Sequence, residues 1–219
     1  MKTLKHYITE RFTSDKVEKY NYFPKDIFEL RDILKERLEK DKNANLNDID
    51  VSKITTFTDT TRGQFKNRGL FEGLDPHNID ISKWNVSNVE DMRRVFCDCK
   101  NLKCDVSKWN VLKVKSFANM FYVCHNFDCD LSEWKFGNHK ELSFFGMFAQ
   151  CYNFTGKGLD KWDVSKAHSI AHMFNKCKKL DVDLSNWKTT FITETWYVFT
   201  DCDTLEQKHM IPEWYKKKI

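Results

Sequence analysis

The sequence predicts an α/β solenoid of about six 25-residue coils with an N-terminal helical cap, and three observations carry that expectation. Tryptophans recur at Trp84, Trp109, Trp134, Trp162 and Trp187, spaced by 25, 25, 28 and 25 residues. Each is followed by a phenylalanine (Phe96, Phe121, Phe148, Phe174, Phe199) and then, three residues on, by a cysteine (Cys99, Cys124, Cys151, Cys177, Cys202). Three residues after each cysteine stands Leu102, Phe127, Phe154, Leu180 or Leu205. A period kept by several residue types at once is the mark of stacked copies, each too small to bury its own apolar stripe.

The elements follow in order. Residues 1–44 read as a leader and a capping helix. After Pro24, the residues Ile27, Leu30, Ile33, Leu34 and Leu38 share one face at helical spacing, with charges opposite, which predicts a helix over 24–41. An open end of a coil stack exposes core, so this helix is expected to close it; the alternative is a partner-binding helix. Residues 45–214 read as the repeat. Its first copy, Asn45 to Phe57, aligns with Asp80 to Met92 at an offset of 35, which places about ten extra residues within Thr58–Asn78.

In a typical copy, Asp80-Ile81-Ser82-Lys83-Trp84-Asn85-Val86 reads as a strand or extended turn. Ser87 with Glu90 forms a capping-box pattern, and Val89, Met92 and Phe96 make the apolar stripe of a helix of about ten residues. The third copy carries an insertion near Gly137-Asn138-His139. Ile211-Pro212-Glu213-Trp214 restarts the motif without its leading Asp and its Ser, so 205–219 is expected to close the far end, with 215–219 as a basic tail.

Composition narrows the class. With 41% hydrophobic and 31% charged residues and only seven Gly and three Pro, the chain has material for a core and is not disordered in character. A net charge of +4 from 36 basic and 32 acidic residues does not argue for nucleic acid or a membrane surface. Residues 1–8 contain no signal-peptide core, and no run is long and apolar enough to span a bilayer. A cytoplasmic location with eight reduced cysteines is the expectation.

The copies share the form D-[IVL]-S-x-W-[ND]-V-S-x-V-x-x-M-x-x-x-F-x-x-C-x-x-[LF]; Asp105-Val106-Ser107-Lys108-Trp109-Asn110-Val111 and Asp183-Leu184-Ser185-Asn186-Trp187 are near-perfect openings. This closely resembles the BspA-like repeats of bacterial and mycoplasma lipoproteins, in the broad leucine-rich-repeat group. The resemblance implies a leucine-rich-repeat-like solenoid used for adhesion or protein binding, with no established active site. Relatives of that group are often exported lipoproteins, whereas no signal peptide or lipidation cysteine stands near Met1. Solo members with a short helical leader look like those of phage and mobile elements, which implies a host-directed protein.

Candidate chemistry is sparse. Cys97, Cys99, Cys104, Cys124 and Cys129, with His125, offer only C-x-C and single positions, not paired knuckles, so no metal site is expected. Cys104 and Cys129 hold equivalent places in successive copies, which leaves a pairing between them open. Asp80, Asp105, Asp130 and Asp183 lack the glycine-rich loop of a calcium roll and read as corner residues that accept from local backbone N–H groups. His168 and His172 stand at i, i+4 but with Ser169 where a zinc protease needs Glu, and so read as helix-surface residues. No catalytic residue, metal or cofactor is predicted.

The expected function is non-enzymatic protein binding. The binding surface is expected on exposed, non-repeating positions: the station before each tryptophan, Lys83, Lys108, Glu133, Lys161 and Asn186, and the irregular Thr58–Asn78 loop, which differ from copy to copy while the core positions do not. Lys176, Lys178, Lys179 and the terminal lysines add positive charge, for which a solvated face is the default and nucleic acid the alternative. A structural component of a virion or surface assembly and an enzyme with an unrecognised site stay open, as do partner identity and oligomeric state.

Overall fold

The computed structural model describes residues 20–60, 67–189 and 192–216. Residues 1–19 of the expected leader, 61–66 of the irregular loop and 217–219 of the basic tail lie outside the described residues. The expected α/β solenoid of six coils, with a strand and a helix in each, is not what the chain forms. Among the described residues helix is confined to α1 (Ile27–Lys40), a 3-10 turn at Leu159–Lys161, α2 (Asp203–Gln207) and α3 (Glu213–Lys216). Among the described residues the bridges are isolated ones, such as Asp91 with Ser116 and Ser116 with Ser143, and none joins into a sheet.

The reason lies in where the backbone bonds go. In a helix the N–H of Phe96 would reach back to Met92; here it donates to Met120 O of the next copy at 2.9 Å. Met92, Arg94 and Asp98 do the same toward Ser116, Ala118 and Tyr122, at 3.0, 3.0 and 2.8 Å. The row recurs from Phe117 to Val123, Phe144 to Gln150 and Ile170 to Lys176. Within each row the chain advances by turns, as in Met120 N–H to Phe117 O and Cys124 N–H to Phe121 O, both 3.0 Å.

The third residues of these turns are left-handed, Asn119 at φ 56° and Val123 at φ 62°, as a type II turn requires. That conformation recurs at Arg94, Gly146, His172 and Tyr197, and again at Asp98, Gln150, Lys176 and Asp201. A left-handed residue stops any helix, so the spacing that imitates a helical stripe in Val89, Met92 and Phe96 is met by turns instead. Each non-glycine residue held there costs roughly 1–2 kcal/mol, which the bonds between copies offset. The capping box fails with the helix. Ser87 N and Oγ both donate to Asn85 Oδ1, and Glu90 pairs with Lys115 of the next copy at 2.6 Å.

Stacking still buries one continuous core from Tyr22 to Tyr215. Phe71, Phe96, Phe121, Phe148, Phe174 and Phe199 form an unbroken ladder, with ring centroids 5.0, 5.3, 5.6, 5.9 and 5.7 Å apart. The tryptophans pair as Trp84 with Trp109, Trp134 with Trp162 and Trp187 with Trp214, at 6.4, 6.0 and 6.4 Å. Every one of these indoles donates to a carbonyl of the preceding copy, as Trp134 does to Val106 O at 2.9 Å.

α1 begins at Ile27 rather than at Pro24, capped by Asp26, whose carboxylate accepts from Phe28 and Glu29 N–H, and buries Ile27, Leu30, Ile33, Leu34 and Leu38 as the spacing predicts. At the far end Trp214 repeats the tryptophan's role, and Tyr215 sets its edge on Phe199 at 5.2 Å. The extra residues of the first copy fall at Asp59–Arg68, where Asp59 N–H donates to Arg68 O and Asn67 N–H to Asp59 O. Leu70, Phe71, Leu74 and Pro76, within the expected surface loop, are buried, while Gly73, Asp75 and Asn78 are exposed.

Candidate binding surface

The station before Trp84, Trp109, Trp134 and Trp187 is built by a local Asp turn, and the one before Trp162 by a left-handed Gly158 and a 3-10 turn. Asp80 Oδ1 accepts from Ser82 N–H at 3.1 Å, and Asp105, Asp130 and Asp183 accept from Ser107, Ser132 and Ser185 at 2.9, 3.0 and 2.9 Å. The Ser132 and Lys157 donors hold the Asp130 carboxyl at a pKa of about 2; Asp105 and Asp183 are lowered for the same reason, by Ser107 and Ser185. The turn fixes the chain on one side of the station and the buried, hydrogen-bonded indole fixes it on the other. The residue between has nowhere to go but outward. Lys83, Lys108, Glu133, Lys161 and Asn186 are all exposed.

Lys108 and Glu133, from successive copies, line one recess of about 260 Å³ together with Leu112, which is 49% exposed, and Lys135. Lys83, Lys161 and Asn186 occupy the same station in their own copies, and among the described residues no ion pair or hydrogen bond links the five side chains. The backbone of Lys83 is tied to the preceding copy through its N–H to Asn47 Oδ1 at 2.8 Å.

Two other hollows among the described residues border candidate surfaces. One of about 520 Å³ lies between α1 and the inserted segment, lined by Phe28, Arg31, Asp32, Lys35, Asp59 and Arg68. The other, an open groove of about 800 Å³, runs along Asp80, Asp105, Asp128, Asp130, Cys104 and Cys129. The two thiols are free, Cys129 Sγ lies 3.7 Å from Asp105 Oδ1, and burial pushes its pKa up to about 11. Among the described residues no three His, Cys, Asp or Glu side chains are grouped to hold a metal ion.

His168 and His172 are not on a helix. His168 stands 3.6 Å from Glu194, while His172 is left-handed and lies between Phe145 and Tyr197, at ring distances of 5.5 and 5.1 Å. Sequence reasoning missed this outward set of Phe145, His172 and Tyr197, and missed Arg31, whose guanidinium donates to the carbonyls of Gly69, Leu70 and Glu72. The signal for the first was present: a second aromatic pair, Trp196-Tyr197, just before the buried Val198 and Phe199. No pattern in the sequence marks Arg31.

A family described as "Mycoplasma protein of unknown function, DUF285" matches over residues 30–145 and 143–219. The match agrees with a mycoplasma-type repeat and says nothing specific of the BspA group. No curated protein and no solved structure matches. Among the described residues no helix is long and apolar enough to cross a membrane.

Proposed function

We propose that this chain, which belongs to the family described as Mycoplasma protein of unknown function, DUF285, is a non-enzymatic scaffold that binds another protein. One observation carries the reading. A single station per copy is held outward beside a pinned indole, by an Asp turn at Lys83, Lys108, Glu133 and Asn186 and by a Gly158 turn at Lys161, yet its residue changes among Lys, Glu and Asn. Copies that keep their scaffold and vary one exposed side chain are suited to reading a partner along their length. The recess that joins Lys108, Glu133 and exposed Leu112 gives this face an apolar spot among its charges, as protein-binding surfaces have. The kinship with BspA-like repeats belongs to the same proposal and supports an adhesive or docking role.

The test is affinity capture from the native host with the parent chain and with a Lys83→Glu, Lys108→Glu, Lys161→Glu variant. A specific partner retained by the parent and lost, by at least about tenfold, with the variant is the expected result. Equal capture by both chains assigns binding to another face.

A further inference from the structure

Cys104 and Cys129 differ from the other six cysteines. Cys97, Cys99, Cys124, Cys151, Cys177 and Cys202 are buried, whereas these two are partly exposed and line the open groove. Both stand directly before the Asp of a corner, at a station that holds Ile49, Ile79 and Val182 in other copies. An aliphatic side chain is what fills this place elsewhere, and thiols occupy it in two successive copies.

Stacking brings the two stations together. The copies that carry them set Phe96 and Phe121 with ring centroids 5.3 Å apart. One copy earlier, Asn78 and Lys103, each one residue before the station, form a parallel bridge. Backbones stacked in this way run about 5 Å apart, within the roughly 4.4–6.8 Å between Cα atoms that a disulfide spans. The Cys129 side chain is turned toward the preceding copy. Its Sγ lies 3.7 Å from Oδ1 of Asp105, the residue after Cys104, and faces the N–H groups of Val106 and Ser107. Cys129 is in turn the ionisable neighbour that bears most on the Cys104 thiol.

From this geometry we infer that Cys104 and Cys129 are a paired modification site, a dithiol that a small-molecule disulfide converts into a link between successive copies. The Cys129 thiol gives up its proton, and its thiolate, received by the Val106 and Ser107 N–H groups, attacks one sulfur of the small disulfide. The other sulfur leaves as a thiolate and takes up a proton. The Cys104 thiol then loses its proton and attacks Cys129 Sγ, and the second small thiol departs. Two thiols of the chain become one disulfide, and the reagent is reduced to two thiols. Burial pushes Cys129 up to about 11 and raises Cys104 as well, so closure is slow at neutral pH. A link whose leaving thiols are this basic is also slow to reopen. Lys108 and Glu133 follow the pair by four residues, so the link ties the two copies that wall their shared recess. The inference stands apart from the scaffold reading, and either can fail alone.

The probe is cystamine, a small disulfide whose two ammonium groups suit a groove lined by Asp80, Asp105, Asp128 and Asp130, with Lys103 the cation among its lining residues. The folded, reduced chain is treated with it, quenched with acid, unfolded and mapped without reduction. The expected result is a direct link between the Cys104 and Cys129 peptides, with no retained adduct and the six buried cysteines free. The linked chain should keep its near-ultraviolet aromatic signal, and its denaturant midpoint should rise and return on treatment with dithiothreitol. Cys104→Val places there the residue type of Val182, and so should fold and hold cysteamine on Cys129 as a stable mixed disulfide. A chain that stays unmodified while folded, that carries adducts on both cysteines without a link, or that links to another chain overturns the inference. So does a link that forms only where the aromatic signal is lost, because the two thiols then meet only in the unfolded chain.

Discussion

The repeated cysteine shows how a residue chosen for size is also chosen for one proton. Cys124, Cys151, Cys177 and Cys202 each point Sγ at the carbonyl of the preceding copy's phenylalanine, at 2.9, 3.0, 3.0 and 3.1 Å. Read from sequence, these are small buried hydrophobes; the structure adds a weak S–H donor to a carbonyl that already accepts one backbone N–H, filling its second lone pair. Burial then pushes the thiols up, to about 12 at Cys202 and about 11 at Cys97 and Cys129. A thiol whose folded pKa lies above its unfolded value of 9.0 contributes stability that is full below that value. The contribution is lost as pH rises through the window from about 9 to about 11 and beyond. Denaturant midpoints should therefore hold steady up to about pH 9 and fall steeply above it. A flat profile to pH 11 is the contrary result. Thiol titration should find the buried cysteines unreactive until the chain is unfolded. At the same scale, Trp109→Ala removes a buried ring that stacks on Trp84 and donates to Ile81 O, and should cost roughly 3–5 kcal/mol by chemical denaturation.

Among the elements, α1 was the most legible and the rows the least. The apolar face Ile27, Leu30, Ile33, Leu34 and Leu38 is a true helical stripe, flanked by a capping Asp26, and the chain folds as that pattern dictates. Val89, Met92 and Phe96 have the same spacing, yet their N–H groups bond the next copy. Apolar period alone does not distinguish a helix from a run of turns with a left-handed residue every few positions. The clue in hindsight is that third-turn stations accept Gly146 in one copy and Asn119 in another, two residue types that tolerate positive φ, although Arg94, His172 and Tyr197 hide the rule. The Asp corners were legible in full, because an Asp two residues before Ser has a local partner in any setting. Asn85 and Asn110 make the same contact in their copies. Asp183→Asn should therefore be nearly neutral at pH 7. Arg31→Ala belongs to this scale as well. It leaves Gly69, Leu70 and Glu72 carbonyls without their donor and should cost about 1–3 kcal/mol, with Arg31→Lys a poor rescue because an ammonium cannot span the row. Urea denaturation of the three chains separates a capping role from a surface charge, whose removal would change almost nothing.

For the whole molecule, the consequence of stacking is that a copy is exchangeable but a fraction of a copy is not. The Phe ladder, the Cys–carbonyl contacts and the indole bonds all run to the neighbouring copy, so each interface needs only an equivalent partner above and below. Residues 105–129 form one such copy, and their removal joins Cys104 to Asp130, which is the junction that Cys129 and Asp130 already make. The shortened chain should keep Phe96 beneath Phe148 and Trp84 beneath Trp134, unfold in one cooperative transition, and show a denaturant slope reduced in proportion to the surface lost. Removal of residues 105–116 alone brings Cys104 against Phe117 and puts every later side chain out of step with its neighbour below. That chain should lose its near-ultraviolet aromatic signal altogether. The comparison separates a stack of equivalent copies from a globular core that merely contains a repeat, since the latter would tolerate the smaller deletion better than the larger one.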